Sequence, residues 1–339
     1  MFRIWFASQH LTPADGGLHV ESKCVTAGLA ALRATLAIGL MVAALTAVAS
    51  AGPFEDAAAA YRKGDYGTAL RIIRLMARKG YAPAQFKLGL MYVNGTGVPQ
   101  DYREALKWYR KAADQENAAA QRHLGVIFAE GLGVPHDYME ALKWFRRAAE
   151  QNDAAAQTNL GVMYDFGHGV ARDYAEALKW YRKAADHGDA EARYNLGVIY
   201  ERGDGVKQNW LEAVRWYHLA AVQGHAAAQS NLGAMYDRGE GITQSYREAL
   251  KWYRKAADQG NPMAQYNIGS MYASGHGVPK DCVTAHFWFS LSAAQGDEDA
   301  EKNRYVIAEQ MTPAQIGEAQ KLARDWKPKP HRHLLSDIR

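Results

Sequence analysis

"DYREALKWYRKAA" at residues 101–113 returns as "DYMEALKWFRRAA" at 137–149, "DYAEALKWYRKAA" at 173–185 and "SYREALKWYRKAA" at 245–257. Trp108, Trp144, Trp180, Trp216, Trp252 and Trp288 keep the same phase, each 36 residues after the last. A fixed period of this size signals a stacked architecture in which one supersecondary unit recurs and buries its apolar face against its neighbours. The 339 residues therefore do not divide into ordinary globular domains. With 48% hydrophobic and 22% charged residues, the chain is not of disordered composition.

The phrase itself reads as a helix with a defined start. Its first residue is Asp101, Asp137, Asp173, Asn209, Ser245 or Asp281, all good N-cap residues. Glu104, Glu140, Glu176, Glu212 and Glu248 follow three residues later, the spacing of a reciprocal capping box; the sixth unit has Thr284 there. Ala105, Trp108 and Ala112 share one stripe of this helix, with the Trp expected as the large core anchor between two small residues.

Before each phrase stands a second helical segment: "AQFKLGLMYVNG", "AQRHLGVIFAEG", "AQTNLGVMYDFG", "ARYNLGVIYERG", "AQSNLGAMYDRG" and "AQYNIGSMYASG". Ala84, Leu88 and Tyr92 form its apolar stripe at i, i+4, i+8. Gly89, Gly125, Gly161, Gly197, Gly233 and Gly269 lie in mid-helix, where each costs about 1 kcal/mol against Ala. Six repetitions of that cost predict a packing need, the close approach of a neighbouring helix. The G-x-G pairs that follow, from Gly95/Gly97 to Gly275/Gly277, read as helix closure by a left-handed residue. A phosphate loop would need a preceding strand and a following Lys-Ser/Thr, and neither is present.

Each unit is thus helix, Gly-closed loop, capped helix and short turn. The L-G-x-x-Y, G-x-G-V and E-A-x-x-W-x-x-x-A-A pattern resembles the Sel-one-like repeat, a 36-residue relative of the tetratricopeptide repeat, over six units at 81–296. The resemblance implies an all-α solenoid of stacked helical hairpins. Residues 52–80 are expected as a shorter tetratricopeptide-type pair turning at Gly64-Asp65. Residues 297–326 are expected as closing helices, the second capped at Thr312 with Pro313 at N1, and 327–339 as a loose tail.

The N-terminus differs in character. "ATLAIGLMVAALTAVASAG" (34–52) is uncharged, follows Arg33 and ends in small residues. Its apolar part is shorter than the roughly 20 residues of a spanning helix, and the pattern predicts a secretory signal over 1–51, cut after Ala51. The alternatives are an inner-membrane anchor through 34–51 or a start codon inside 1–33. Residues 1–51 carry Arg3, Lys23, Arg33, Asp15 and Glu21, so their removal changes the net charge only from +4 to +3. Cys24 leaves with them, and Cys282 then has no intrachain partner. The expected location is the bacterial periplasm.

No chemistry-bearing motif stands out. H-E-x-x-H, C-x-x-C and G-x-S-x-G are absent. His168 and His276 are loop-tip residues, and His331 and His333 lie in the tail. Cysteine-rich relatives have been linked to β-lactams, but the paired cysteines of that type are missing here. No cofactor, metal or small-molecule substrate is expected, and the near-balanced charge points to no nucleic acid. Lys107, Arg110 and Lys111, with their counterparts in later units, form a basic stripe that reads as a solvated outer face.

The resemblance implies a non-catalytic scaffold or adaptor that holds a protein or peptide partner on the concave surface lined by the first helices. Positions on that helix that differ between units are the candidates: the column Phe86, Arg122, Thr158, Tyr194, Ser230, Tyr266, and the acids Asp165, Glu201 and Asp237 with neighbouring Phe166, Arg202 and Arg238. Asn159, Asn195, Asn231 and Asn267 are too uniform for that role and fit interhelical hydrogen bonds better. The competing reading is an envelope enzyme or a polysaccharide- or peptidoglycan-associated factor.

Overall fold

The computed structural model describes residues 52–329; the expected signal at 1–51 and most of the tail lie outside them. The described residues form sixteen α-helices and no strand: α1 Pro53–Arg62, α2 Tyr66–Arg78, α3 Ala82–Asn94, α4 Tyr102–Ala113, α5 Ala118–Glu130, α6 Tyr138–Glu150, α7 Ala154–Phe166, α8 Tyr174–Asp186, α9 Ala190–Arg202, α10 Trp210–Val222, α11 Ala226–Arg238, α12 Tyr246–Asp258, α13 Pro262–Ser274, α14 Cys282–Ala293, α15 Glu298–Ala308 and α16 Pro313–Asp325. The described residues fall into two compact units that divide after Asp137. Within each unit successive helices pack as antiparallel hairpins, the all-α solenoid expected from the period. Helix A denotes the first and helix B the second helix of each repeated pair.

The mid-helix glycines meet an aromatic ring. A Cβ on Gly89 would lie 2.5 Å from the ring of Tyr109, and one on Gly161, Gly197, Gly233 or Gly269 would lie 2.5–2.7 Å from Tyr181, Tyr217, Tyr253 or Phe289. The ring of helix B lies flat on the bare backbone of its own helix A. This corrects the choice of anchor. Tyr109, Tyr181, Tyr217 and Tyr253 are among the largest fully buried side chains, whereas Trp108, Trp144, Trp216 and Trp288 are only half-buried; Trp180 and Trp252 are buried. One residue further along a helix turns the side chain by about 100°, and that step carries the anchor from the Trp to the Tyr.

Helix B starts as expected at the cap but not at the capping box. Asp101 Oδ1 accepts from the Arg103 and Glu104 amides. The N-cap amides of Asp101, Asp173, Asn209, Ser245 and Asp281 donate instead to the carbonyls of Tyr92, Tyr164, Tyr200, Tyr236 and Tyr272 on the preceding helix A. With that donor already satisfied, the Glu is free to pair forward: Glu104 with Lys107, Glu140 with Lys143 at 3.0 Å, Glu176 with Lys179 at 2.8 Å and Glu248 with Lys251 at 3.0 Å. A reciprocal box does form at the start of α16, between Thr312 and Gln315.

Two further devices join one repeat to the next. The first Gly of each G-x-G closes helix A in the left-handed conformation, as Gly203 does at φ 79°. The second Gly lies against the start of helix B in the preceding repeat: a Cβ on Gly205 would stand 2.4 Å from Tyr174 Cβ, and one on Gly241 2.4 Å from the Trp210 carbonyl group. The glutamine near the start of helix A caps the preceding helix B. Gln85 Nε2 donates to Ala77 O at 3.1 Å, Gln157 to Ala149 O at 3.1 Å and Gln229 to Ala221 O at 3.0 Å, each satisfying a carbonyl left open at a helix end.

Candidate functional site

The first candidate column is packing. Arg122, Thr158 and Ser230 are buried, with 6%, 4% and 2% of their surface accessible. The three aromatics of the column are half-buried and face along the stack. Phe86 lies 5.3 Å from the His123 ring and Tyr194 stacks on His225 at 4.8 Å, while Tyr266 accepts from Asn303 at 3.1 Å. Thr158 Oγ1 donates to Asp189, the cap of the next helix A, at 2.9 Å. At Phe86, Thr158, Tyr194 and Tyr266 the fifth position of helix A meets a residue of the following helical pair, so these side chains have partners inside the chain.

His225 illustrates how closely these positions fit one another. It occupies a helix-A N-cap where four other units have Asn or Asp and the first has Tyr81. Its Nδ1 accepts from the Ala228 amide at 3.1 Å, which leaves the proton on Nε2, 3.0 Å from Glu191 Oε2.

The second column presents side chains at the C-terminal end of helix A in the second unit. Asp165, Glu201 and Asp237 each accept from the buried tyrosine that lies on the glycine of the same hairpin: Tyr181 at 3.2 Å, Tyr217 in a short contact, and Tyr253 at 3.4 Å. Burial raises the tyrosine hydroxyls far above their ordinary range, and the neighbouring carboxylates add to that shift, so they remain donors and cannot act as bases. Burial also raises the Asp165 carboxyl, aided by Asp204 and opposed by the Tyr181 hydrogen bond, Arg202 and Arg172. Around the acids, Phe166 is 54% exposed and Arg202 and Arg238 are exposed. Arg238 pairs with Glu240 at 2.6 Å and reaches Glu201 at 3.8 Å. The arrangement fixes carboxylates in defined directions beside exposed guanidiniums and one apolar ring. Such groups can accept hydrogen bonds from a peptide backbone or cationic side chain.

The tyrosine–acid pairing was not read from the sequence, although the sequence carries its signal. Sixteen residues after Asp165, Glu201 and Asp237 stands a Tyr, whereas sixteen after Ala129 and Ala273 stands a Phe, Phe145 and Phe289. The hydroxyl is present where a carboxylate can accept it. Tyr109 departs from this: Val93 holds the acid's position, and among the described residues the buried Tyr109 hydroxyl has no hydrogen-bond partner.

The outer face of helix B is internally engaged. Arg146, Arg182 and Arg254 donate to Tyr164, Tyr200 and Tyr272 at 2.8, 2.6 and 2.6 Å. Lys111, Lys183 and Lys255 lie 4.4, 4.3 and 4.2 Å from the rings of Trp108, Trp180 and Trp252. Half-buried Trp108 and buried Trp180 and Trp252 each lie beneath a cation. Among the described residues, no group of three or more His, Cys, Asp or Glu side chains is placed to hold a metal ion, and no helix is long and apolar enough to cross a membrane.

Six consecutive segments match the Sel1 repeat: residues 82–117, 118–153, 154–189, 190–225, 226–261 and 262–297. The chain belongs to the Sel1 repeat family. The solved structure of a Sel1 repeat protein from Oxalobacter formigenes is 40% identical, with a TM-score of 0.69, over 71% of this chain and 99% of that one. The structure of c5321, a protective antigen of uropathogenic Escherichia coli strains with the same fold, is 36% identical, with a TM-score of 0.56, over 80% of this chain and 68% of that one. Among proteins of curated function, none matches this sequence. Sel1 repeat proteins generally mediate protein–protein interaction, and their fold is typically a non-catalytic scaffold.

Proposed function

We propose that this Sel1 repeat protein is an exported, non-catalytic scaffold of the cell envelope, and that the helix-A ends of the second unit hold a segment of a protein partner. The observation that carries this reading is the acid–tyrosine ladder. Asp165 keeps a carboxylate where burial disfavours its charge, beside exposed Phe166, Arg202 and Arg238. A group held in that condition contributes less to folding than a neutral residue would, which points to selection for contact with something else. The aromatic ring supplies an apolar anchor, and the charges set register and reject wrong partners. Arg122, Thr158 and Ser230 are not part of this surface because they are buried.

The test is affinity capture from the envelope fraction of the source cells, followed by binding measurements with the captured partner. The triple variant Phe166→Ala, Arg202→Ala, Arg238→Ala should bind at least ~10-fold more weakly, equivalent to ~1.4 kcal/mol, with an unchanged thermal midpoint. Undiminished binding by the triple variant would refute the assigned surface. Recovery of the chain with residues 1–40 intact in the membrane fraction would refute export by cleavage.

A further inference from the structure

On the helix-B outer faces of α4, α6, α8 and α12, cations have partners: a Glu one turn back, a Tyr eighteen residues on, or a Trp ring beneath. Helix α2, the matching helix of the N-terminal pair, breaks this rule. Arg71, Arg74 and Arg78 line one face of it, and among the described residues none of them has an ion pair, a hydrogen bond or a ring contact from its side chain. The sequence explains why. Thr68 stands where the repeats place the pairing Glu, and Ile72 where they place the Trp. The helix itself holds no acidic residue. Between the arginines, Leu75 is 55% exposed at a position where most repeats carry Lys or Arg, and Gly67 opens the helix start. Together with Leu70 these residues line a shallow depression.

We propose that the outer face of α2 is a second docking site, and that it takes an acidic amphipathic segment of a protein partner. Charge complementarity selects the occupant. Three unpaired guanidiniums offer forked donors suited to carboxylates. At 1.5 Å rise per residue, Arg71 to Arg78 spans about 10 Å, or two turns. That span matches carboxylates spaced along a peptide and exceeds what one phosphate can bridge. Leu75 sits between the charges, where an apolar side chain of the same segment can cover it. A lipid surface would need a broader insertable face, and here Leu70 is already half-buried in the hairpin core.

The experiment uses the full chain and a fluorescein-labelled synthetic 16-residue peptide with Glu and Leu at helical spacing, read by anisotropy. Saturable binding is expected, weakening as salt rises from 50 to 200 mM. Arg71→Gln with Arg74→Gln and Arg78→Gln should weaken it at least tenfold, and Leu75→Ser alone at least threefold. The matched change on α12, Lys251→Gln with Arg254→Gln and Lys255→Gln, should alter it less than twofold. All three sets lie on the helix surface, and circular dichroism checks that they fold. The proposal is overturned if the peptide does not saturate, or if the α2 and α12 variants weaken it equally. It is also overturned if equimolar inorganic phosphate or anionic phosphatidylglycerol vesicles displace it while Leu75→Ser has no effect.

Discussion

Replacing Gly197 by Ala tests the central packing element. In isolation the change should help, because Ala in a helix interior is favoured over Gly by about 1 kcal/mol. In this fold the new methyl would stand 2.5 Å from Cδ1 and Cε1 of Tyr217. Carbon atoms rest at about 3.5–4.0 Å, so the ring must retreat by about 1 Å. It has nowhere to go. Tyr217 is fully buried in a cluster with Ala213, Ala220, Ala221, Leu232 and Met235, and its hydroxyl is held by Glu201. Overpacking of this kind costs about 1–3 kcal/mol, here at the upper end. The net expectation is destabilisation by about 1–2 kcal/mol. Gly317 in α16 is the internal control, since a Cβ there meets nothing within 4 Å and its φ is not positive. Gly317→Ala should stabilise by about 0.5–1 kcal/mol. Urea unfolding followed by circular dichroism and tryptophan fluorescence gives both values. If Gly197→Ala raises the midpoint as Gly317→Ala does, the ring does not rest on the glycine and the account of the repeated glycines is wrong.

Two further outcomes follow from the same structure. Tyr217→Ala should cost about 3–5 kcal/mol, and Trp216→Ala, at a half-buried position, distinctly less; a lower urea midpoint for the Trp216 variant would restore tryptophan as the anchor. Asp165→Asn should raise the urea midpoint at pH 7. The folded-state carboxyl is raised by burial, so the native chain binds its proton more tightly than the unfolded chain does and carries a penalty at any pH above the folded value. Wild type loses that penalty as pH falls through the raised value, so the difference should close in acid. A gap between the two midpoints that widens on acidification would contradict the sign.

The period, the glycine punctuation and the caps were legible because each follows from local backbone chemistry repeated in register. Gly203 must be left-handed to end α9, and Asn209 must cap α10, whatever lies beyond them. The anchor was not legible on those terms. Trp216 and Tyr217 are neighbours in sequence, and the Trp recurs in all six units where the Tyr alternates with Phe, so size and regularity both favour the Trp. Only the hole left by Gly197, sized for a ring lying flat, selects the Tyr. Likewise the reciprocal capping box failed because the donor it needs is consumed by a carbonyl of another helix, Tyr200 O in the case of Asn209.

Variation between repeats proved an ambiguous guide to recognition, for a physical reason. In a stack, every position that faces the next repeat can change if its opposite number changes with it. Thr158 bonds to Asp189 and Tyr194 stacks on His225, so these members of the column differ between repeats and are yet internal. The discriminating question is whether a change is answered inside the chain. Asp165, Glu201 and Asp237 are answered on one side by tyrosine hydroxyls, which fix their direction. Arg202 lies exposed at the adjoining position, with no ion pair or hydrogen bond from its guanidinium among the described residues. Its charge favours the ionised Asp165 carboxyl beside it, but a side chain that varies and stays in solvent can change without disturbing the packed stack, which leaves it open to a contact outside the chain. That reasoning centres the proposed partner surface on the second column rather than the first.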